Sequence, residues 1–426
     1  MKKPILLSVF VFGLSALAQN IDQNSMQNYI QNKVSLQDAI QYALKNNPRT
    51  QANALRLQSA FEQLQAYKQS KFLPTASVGY SQDLQNPTER SAKATINMNL
   101  FNGFADYYSI KAQECNYKLR ESNLKSTNSQ MQNTSGQIVG LVANNYINLV
   151  EIRQNQTFDQ ITLEKLNQIL PQAKNDEQKN TLENYISSTT ISIQESVSEL
   201  KIAEANYKYI VNAEAPLMTD TFSEIMTKIE IPQNANQAFD ISLEKSPEIL
   251  SAKLSLECSQ LSRKAERAGL YSARVDVSAT RSTDFNGTSG GSTSANLNIT
   301  IPFDLGRMNS FKAGEKNMTA TQLDLDDTIA EIKNSLNNNY IRLQSSQDVA
   351  NTYEINYKNT DAKINNYMSN LKKLTKDDIN ILISLLRTQQ GQFYQLNSKQ
   401  QTVINLKYGI QRNIGTLFDV NRFAFQ

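Results

Sequence analysis

Two stretches of strict alternation constrain this chain more than anything else in it. In the first, TASVGYSQ is followed, after a polar loop, by AKATINMNLF. Ala76, Val78 and Tyr80, then Ala94, Ile96, Met98 and Leu100, fall on one face. Thr75, Ser77 and Ser81, then Thr95, Asn97 and Asn99, fall on the other, which makes a β-hairpin with one apolar and one polar side. The device recurs about 200 residues later, where ARVDVSATR (Val275, Val277, Ala279) and ANLNITIPF (Leu297, Ile299, Ile301) flank the loop STDFNGTSGGST.

Each strand has about the ten residues that a tilted strand needs to cross a bilayer. A pair of hairpins packed on a soluble core is the ordinary reading of such a pattern. The neighbours argue for lipid instead, because each hairpin lies between long polar helical segments that offer its apolar face no cover. The expected membrane hairpins are 74–101 and 273–303, with Val78, Tyr80, Ile96, Met98, Leu100, Val275, Val277, Leu297, Ile299 and Ile301 facing lipid.

Composition agrees with a protein of thin seams rather than one thick core. Among 426 residues the apolar fraction is 39%, with neither Trp nor His, and the mean hydropathy is −0.49. Residues 1–18 read as a secretory signal peptide: Lys2 and Lys3, an apolar run from Ile5 to Leu14, then Ala16-Leu17-Ala18. No cysteine follows that site, so a lipid-anchored N-terminus is not expected. Without Lys2 and Lys3 the 43 basic residues become 41 against 40 acidic ones, a balance that offers nucleic acid no basic field. Beyond the signal no apolar run reaches 18 residues, so any crossing would be by β-barrel. Cys115 and Cys258 lack metal-site spacing, and two isolated buried thiols are the ordinary reading. They lie at similar distances from their hairpins, about 18 to 21 Å along a helix, which leaves a disulfide open.

In chain order, residues 19–34 read as an extended lead-in. Ser35 caps a short helix to Asn47, Pro48 starts a longer one, and Pro74 ends it. From Gly103 no proline occurs until Pro171, which predicts one unbroken helix of about 100 Å. The charged stretch QAKNDEQKNT reads as a turn, followed by a helix from about Leu182 to Val211 that stops at Asn212. After a connector at 213–234 the pattern restarts. Pro247 answers Pro48, Phe239 and Leu243 answer Ile40 and Leu44, and NNYIRL at Asn338–Leu343 answers NNYINL at Asn144–Leu149. A second unbroken helix runs from Gly306 to about Leu371. The last helix carries a stripe stepping by 4 and 3 from Leu382 through Leu386, Gln389, Phe393 and Leu396 to Leu417, a coiled-coil seam. The expected organisation is repeat 1 at 35–212, the connector, and repeat 2 at 235–417, within a single protomer, 19–426.

Each copy thus reads helix, hairpin, very long helix, turn, shorter helix. Four strands cannot close a barrel or hide their edges in a membrane, so several chains must pool them, and three would supply twelve. At this point the sequence resembles the TolC-type outer membrane efflux proteins. The resemblance rests on SLQDAIQYALKNNP, on Leu73-Pro74 before the first strand, on LFNGF at Leu100–Phe104, on PFDLGR at Pro302–Arg307, and on GTL at Gly415–Leu417. It implies a mainly α protein with a β-barrel part: a homotrimer with a twelve-stranded barrel in the outer membrane of a Gram-negative bacterium, continued by a long periplasmic α-helical barrel. It also implies a periplasmic adaptor, an inner-membrane pump, and outward passage of drugs, metabolites or polypeptides. The family's glycine turn and Asp-Val pair at the periplasmic tips are not matched. The second tip reads NLKKLTKDDINIL, so only the location carries over, with Lys372, Lys373, Lys376, Asp377 and Asp378 as aperture candidates. Ser272 and Ala273 replace the Leu-Pro expected before the third strand.

An enzyme is not expected. There is no His, no nucleophile with a base at a recognisable spacing, and GTSGG at Gly287–Gly291 lies in a hairpin loop rather than before a helix. Neither cofactor nor metal is implied, since hairpins and tips show no clustered Met or His. The rival reading is a non-conducting trimeric stalk or surface interaction protein built from the same helices.

Overall fold

A computed structural model describes residues 33–82, 90–102, 104–124, 134–271, 274–284, 291–300, 307–373 and 375–416. The signal peptide, both hairpin loops, Gly103, Ile301 and Leu417 lie outside them.

The chain opens with a short strand, β1 (Lys33–Val34), and two helices, α1 (Leu36–Asn46) and α2 (Pro48–Phe72). Ser35 caps α1 with a reciprocal box to Asp38, and Asn47 caps α2, whose first residue is Pro48. Strands β2 (Thr75–Gln82) and β3 (Arg90–Asn102) form the first hairpin. Three helices follow: α3 (Ala105–Asn123), α4 (Ser135–Ile169) and α5 (Asp176–Val211). The second half begins with β4 (Met218–Thr219) and α6 (Phe222–Lys228), then α7 (Ala235–Lys245) and α8 (Pro247–Tyr271). Strands β5 (Arg274–Asp284) and β6 (Gly291–Thr300) precede α9 (Arg307–Ser369) and α10 (Lys376–Ile414).

Two helical expectations need correction. The stretch from Gly103 to Pro171 is two helices, not one. Leu124 closes α3, and Thr134 opens α4 with a capping box to Gln137, a local competitor that a proline count overlooks. The Ser135 amide donates to the Leu124 carbonyl at 2.9 Å, so the two ends abut. Only α9, with 63 residues, runs unbroken for about 95 Å. Likewise α5 begins at Asp176 rather than near Leu182. The Asn175 side chain accepts from the Gln178 amide, and Asp176 and Glu177 suit the positive end of the helix dipole. Its stop at Asn212 is left-handed, φ 62°, as the sequence suggests.

The helices make two walls that share α9. Nearer the sheet the order is α2–α3–α8–α9; farther away it is α5–α4–α10–α9. Cys115 on α3 and Cys258 on α8 form a disulfide across the central contact of the first wall. The isolated-thiol reading is therefore wrong, because α3 and α8, far apart in sequence, run side by side.

Burial is divided among three apolar clusters. A girdle at mid-height joins α1, α4, α5 and α6 around the fully buried Tyr146, Ile147 and Tyr207. The Tyr146 hydroxyl donates to the Val34 carbonyl at 2.6 Å and accepts from the Asp220 amide at 2.8 Å, which holds β1 parallel to β4. A second cluster seats α7 on α9 and α10 through Ala238, Leu336, Val403, Ile410 and Ile414. The stripe on α10 behaves as a seam, with Leu382, Leu386, Gln389, Leu396 and Val403 all buried. It ends at Gly415, φ 77°, where a Cβ would stand 2.0 Å from the Lys245 carbonyl oxygen. The third cluster lies at the far tip.

Candidate functional site

The four long strands form one sheet in the order β2-β3-β5-β6. Its register stacks the apolar face in rows: Phe101–Val275–Ile299, Met98–Val277–Leu297, Ala76–Ile96–Ala279–Ala295, then Val78–Ala94–Arg281–Thr293 and Tyr80–Ala92–Thr283–Gly291. The opposite face is Ser, Thr, Asn, Asp and Lys, cross-linked by hydroxyl pairs such as Ser81–Ser91 at 2.8 Å and Ser282–Ser292 at 2.7 Å.

The structure thus brings Val78, Tyr80, Ile96, Met98, Val275, Val277, Leu297 and Ile299 to one face. Leu100 departs from simple alternation, since the register shifts between Asn99 and Phe101 and it is Phe101 that pairs with Val275. Such a bulge puts an extra residue on one strand, which parity counting cannot foresee. Arg281, four residues past Val277, joins the apolar face, and sequence reading passed over it although parity alone would have placed it there.

Neither face is covered. Every residue of β2 and β6 is exposed, Val78 by 84% and Ile299 by 66%, and no residue of this four-stranded sheet whose side chain is described is buried. Uncovered apolar surface on this scale signals a partner or a membrane. At the helical end of the sheet Phe72, Leu73, Phe101, Phe104 and Tyr107 are also exposed, with Phe101 and Phe104 edge to face at 5.8 Å. The sheet is tied to the helices there. Asn99 donates to Asp106 at 3.0 Å, and Asp106 also pairs with Lys71 at 3.0 Å.

At the opposite end of the molecule two turns meet. Leu166, Ile169, Leu182, Ile364, Ile379 and Leu382 pack together, and the Gln178 side chain donates to the Lys376 carbonyl at 2.6 Å and to Asn380 at 2.9 Å. Lys372 lies in a short 3₁₀ turn, Leu371–Lys373, and is exposed, as are Lys376 and Asp377 at the start of α10. Asp378 is engaged within its own turn: its carboxylate accepts from the Thr375 amide at 2.9 Å and hydroxyl at 2.7 Å, and those bonds hold it below the usual carboxylate range. For Lys373 only the backbone is described.

Between tip and girdle lies a buried polar knot that sequence reading missed. Asp159 on α4, 1% exposed, accepts from the Tyr394 hydroxyl, from Gln390 at 2.9 Å and from Ser192 at 2.8 Å. Tyr185 donates to Gln390 at 3.1 Å, and desolvation pushes its hydroxyl up to about 12. Nearby Asn397 donates to Asn155 at 2.8 Å, so polar contacts join α4 to α10 here beside the stacked rings of Phe158 and Phe393. Among the described residues no group of three or more acidic, Cys or His side chains could hold a metal ion, and no helix is long and apolar enough to cross a membrane.

These elements define a class: an elongated, mainly helical protein bearing an open, two-faced β-sheet at one end. Solved structures share this fold. CusC matches with a TM-score of 0.68 at 18% identity, over 94% of this chain and 95% of that one. The Neisseria gonorrhoeae MtrE outer membrane channel, in its open state, matches with a TM-score of 0.71 at 13% identity, over 89% and 88%. The Vibrio cholerae outer membrane protein VceC gives 0.66 at 13% identity, over 89% and 96%. At these identities the likeness establishes the fold. In sequence, the family described as Outer membrane efflux protein matches residues 239–367, from α7 through the second hairpin into α9. The resemblance to the TolC-type outer membrane efflux proteins therefore stands, on sequence over that stretch and on fold over nearly the whole chain. Among curated proteins none matches.

Proposed function

We propose that three copies of this chain pool their sheets into a twelve-stranded barrel in the outer membrane of a Gram-negative bacterium and serve as the passive exit duct of an efflux or type I secretion system. One observation carries the reading: a four-stranded sheet with uncovered faces, ending in β2 on one side and β6 on the other. An isolated ribbon of this kind leaves backbone donors and acceptors unpaired at both edges, which a hydrocarbon layer does not tolerate. Setting β6 of one copy beside β2 of the next removes every edge. It also turns the Val78 to Ile299 face to lipid and the Ser/Thr/Asn face to a water-filled lumen.

The helices support the same assembly. In the far wall α5 and α9 stand at the two flanks, and both carry exposed isoleucines. Ile191 and Ile202 on α5 lie about 22 and 39 Å from the start of that helix at the tip. Ile355 and Ile341 on α9 lie about 21 and 42 Å from its end at the same tip. The heights match, as they must where α5 of one copy packs along α9 of its neighbour. The walls then continue the barrel as a tube, with Lys372, Lys373, Lys376, Asp377 and Asp378 around its far aperture. A periplasmic adaptor and an inner-membrane pump would dock at that end, and cargo would be drugs, metabolites or polypeptides. Each copy contributes both repeats, 35–212 and 235–417, joined by the connector 213–234, after removal of the signal peptide 1–18.

Purified protein is expected to form trimers, to conduct ions in planar bilayers, and to crosslink between copies when Ile202→Cys and Ile341→Cys are combined. A monodisperse single-copy particle without detergent would overturn the assembly. Trimers that crosslink but never conduct would leave only the stalk.

A further inference from the structure

Arg281 is the cation embedded in the rows of the apolar face. It is exposed, and its strand neighbours there are Ala94 and Thr293. Among the described residues it has no ion-pair partner. Of the other strand cations, Arg90 shares this face but stands two rows nearer the loops, opposite Gln82 and outside the row of Tyr80, while Lys93 opposes Gly79 and Ser282 on the polar face and Arg274 pairs with Asp276 at 2.7 Å.

Its height is informative. Val275, in the row of Phe101, and Thr283, in the row of Tyr80, lie eight residues apart on β5, about 27 Å along the strand and about 20 Å across a bilayer at a tilt of about 40°. The two rows are the aromatic margins of the apolar face: Phe101 with Phe104 at the helical end, and Tyr80 at the loop end, its hydroxyl donating to Gln82 at 3.2 Å. Amphipathic aromatic rings mark both membrane–water interfaces in this manner. Arg281 lies one row inside Tyr80, close enough for its long side chain to run up the sheet and bring the guanidinium to the hydroxyl's level. A guanidinium at that depth meets lipid phosphate, which its forked donors bind in a bidentate way.

We propose that Arg281 binds the phosphate of an outer-leaflet lipid, so that each copy of the chain carries one lipid-anchoring site at the loop-side margin of its sheet. The proposal rests on the membrane reading above, since the loop side faces outward only if the helices stand in the periplasm.

The test is native mass spectrometry of the full assembly in detergent, titrated with lipid A, with dephosphorylated lipid A, and with inorganic phosphate. Wild type is expected to retain lipid A about tenfold more tightly than the dephosphorylated form, the scale of one charge-assisted contact. Arg281→Gln should bring the two lipids level, and Arg281→Lys should retain most of the preference. Equal retention of both lipids by wild type, or an unchanged preference in Arg281→Gln, overturns the proposal. So does displacement of lipid A by equimolar inorganic phosphate, which would make the ligand a free anion. Bilayer conductance of the same samples separates the two readings. A conducting wild type with unaltered Arg281→Gln lipid binding sinks this site alone, and a non-conducting wild type sinks the duct while the lipid titration still decides Arg281.

Discussion

Replacing Asp159 by leucine should loosen the far helical wall without changing its volume much. The carboxyl group is the shared acceptor for Tyr394, Gln390 and Ser192. In the leucine variant Ser192 can turn to a backbone carbonyl within α5, as Thr189 and Thr190 already do. Gln390 keeps a contact of 3.2 Å to the Tyr394 oxygen, but the Tyr394 hydroxyl loses its acceptor and Gln390 loses its better one. A buried donor left unpaired costs about 1–3 kcal/mol, so the pair implies about 2–4 kcal/mol of local stability. Hydrogen–deuterium exchange reads this directly: protection should fall by about two orders of magnitude in peptides from α4, α5 and α10 around Asn155–Thr162, Tyr185–Ser196 and Leu386–Asn397, and little elsewhere. Asp159→Asn, which keeps one acceptor and can donate to Ser192, should cost under about 1 kcal/mol. Adding Tyr394→Phe to Asp159→Leu should restore about half the loss, because it removes the orphaned hydroxyl. Exchange in Asp159→Leu within threefold of wild type would refute the reasoning. Equal damage from Asn and Leu would show that charge, not acceptor capacity, is what matters.

Other consequences can be checked separately. Cys115→Ala with Cys258→Ala should lose about 3–5 kcal/mol, given a closed loop of 143 residues; thermal melts with and without reductant should differ for wild type and coincide for the variant. Val277→Asp or Ile299→Asp should impair outer-membrane assembly, whereas Ser278→Asp on the opposite face should not; normal trimer yield from both Val277→Asp and Ile299→Asp would overturn the orientation of the sheet. Gly415→Ala should cost at least about 1 kcal/mol for the left-handed backbone alone, with more from the clash with Lys245, seen as faster exchange at the end of α10 and in α7. Glu224 is held at about 2 against an ordinary 4.5, chiefly by Lys33. Its folded pKa is depressed, so its contribution is complete above the ordinary value and is lost as pH falls toward 2. Glu224→Gln should flatten the pH dependence of stability in that window.

Much of the architecture was legible because it is written in local rules. Pro48 and Pro247 each open a helix, Ser35 caps one, and Asn212 ends one, since each choice is a matter of neighbouring backbone geometry. The alternation of β2, β3, β5 and β6 needed no partner to be read. Failures fell where two local signals compete. Absence of proline predicted one helix across 124–134, yet Thr134 and Gln137 cap a new one. A charged turn hid the Asn175 cap that starts α5 at Asp176. The bulge at Leu100 shifted the apolar face onto Phe101, because register belongs to a pair of strands and not to one.

By itself the sequence determined which segments are helical, which ribbons are two-faced, and that no single core could cover them, because these follow from spacing and composition along one chain. Which helices meet was decided only in three dimensions. The Cys115–Cys258 bond, the Asp159 knot linking α4, α5 and α10, and the touching of the two tips through Gln178 join residues up to 235 positions apart. Arg281 took its meaning in the same way, as its parity was visible in sequence but the rows of Tyr80 and Phe101 that fix its depth come from strands paired across the sheet. Contacts of that range depend on how seams stack, and no periodicity within one segment encodes its neighbour.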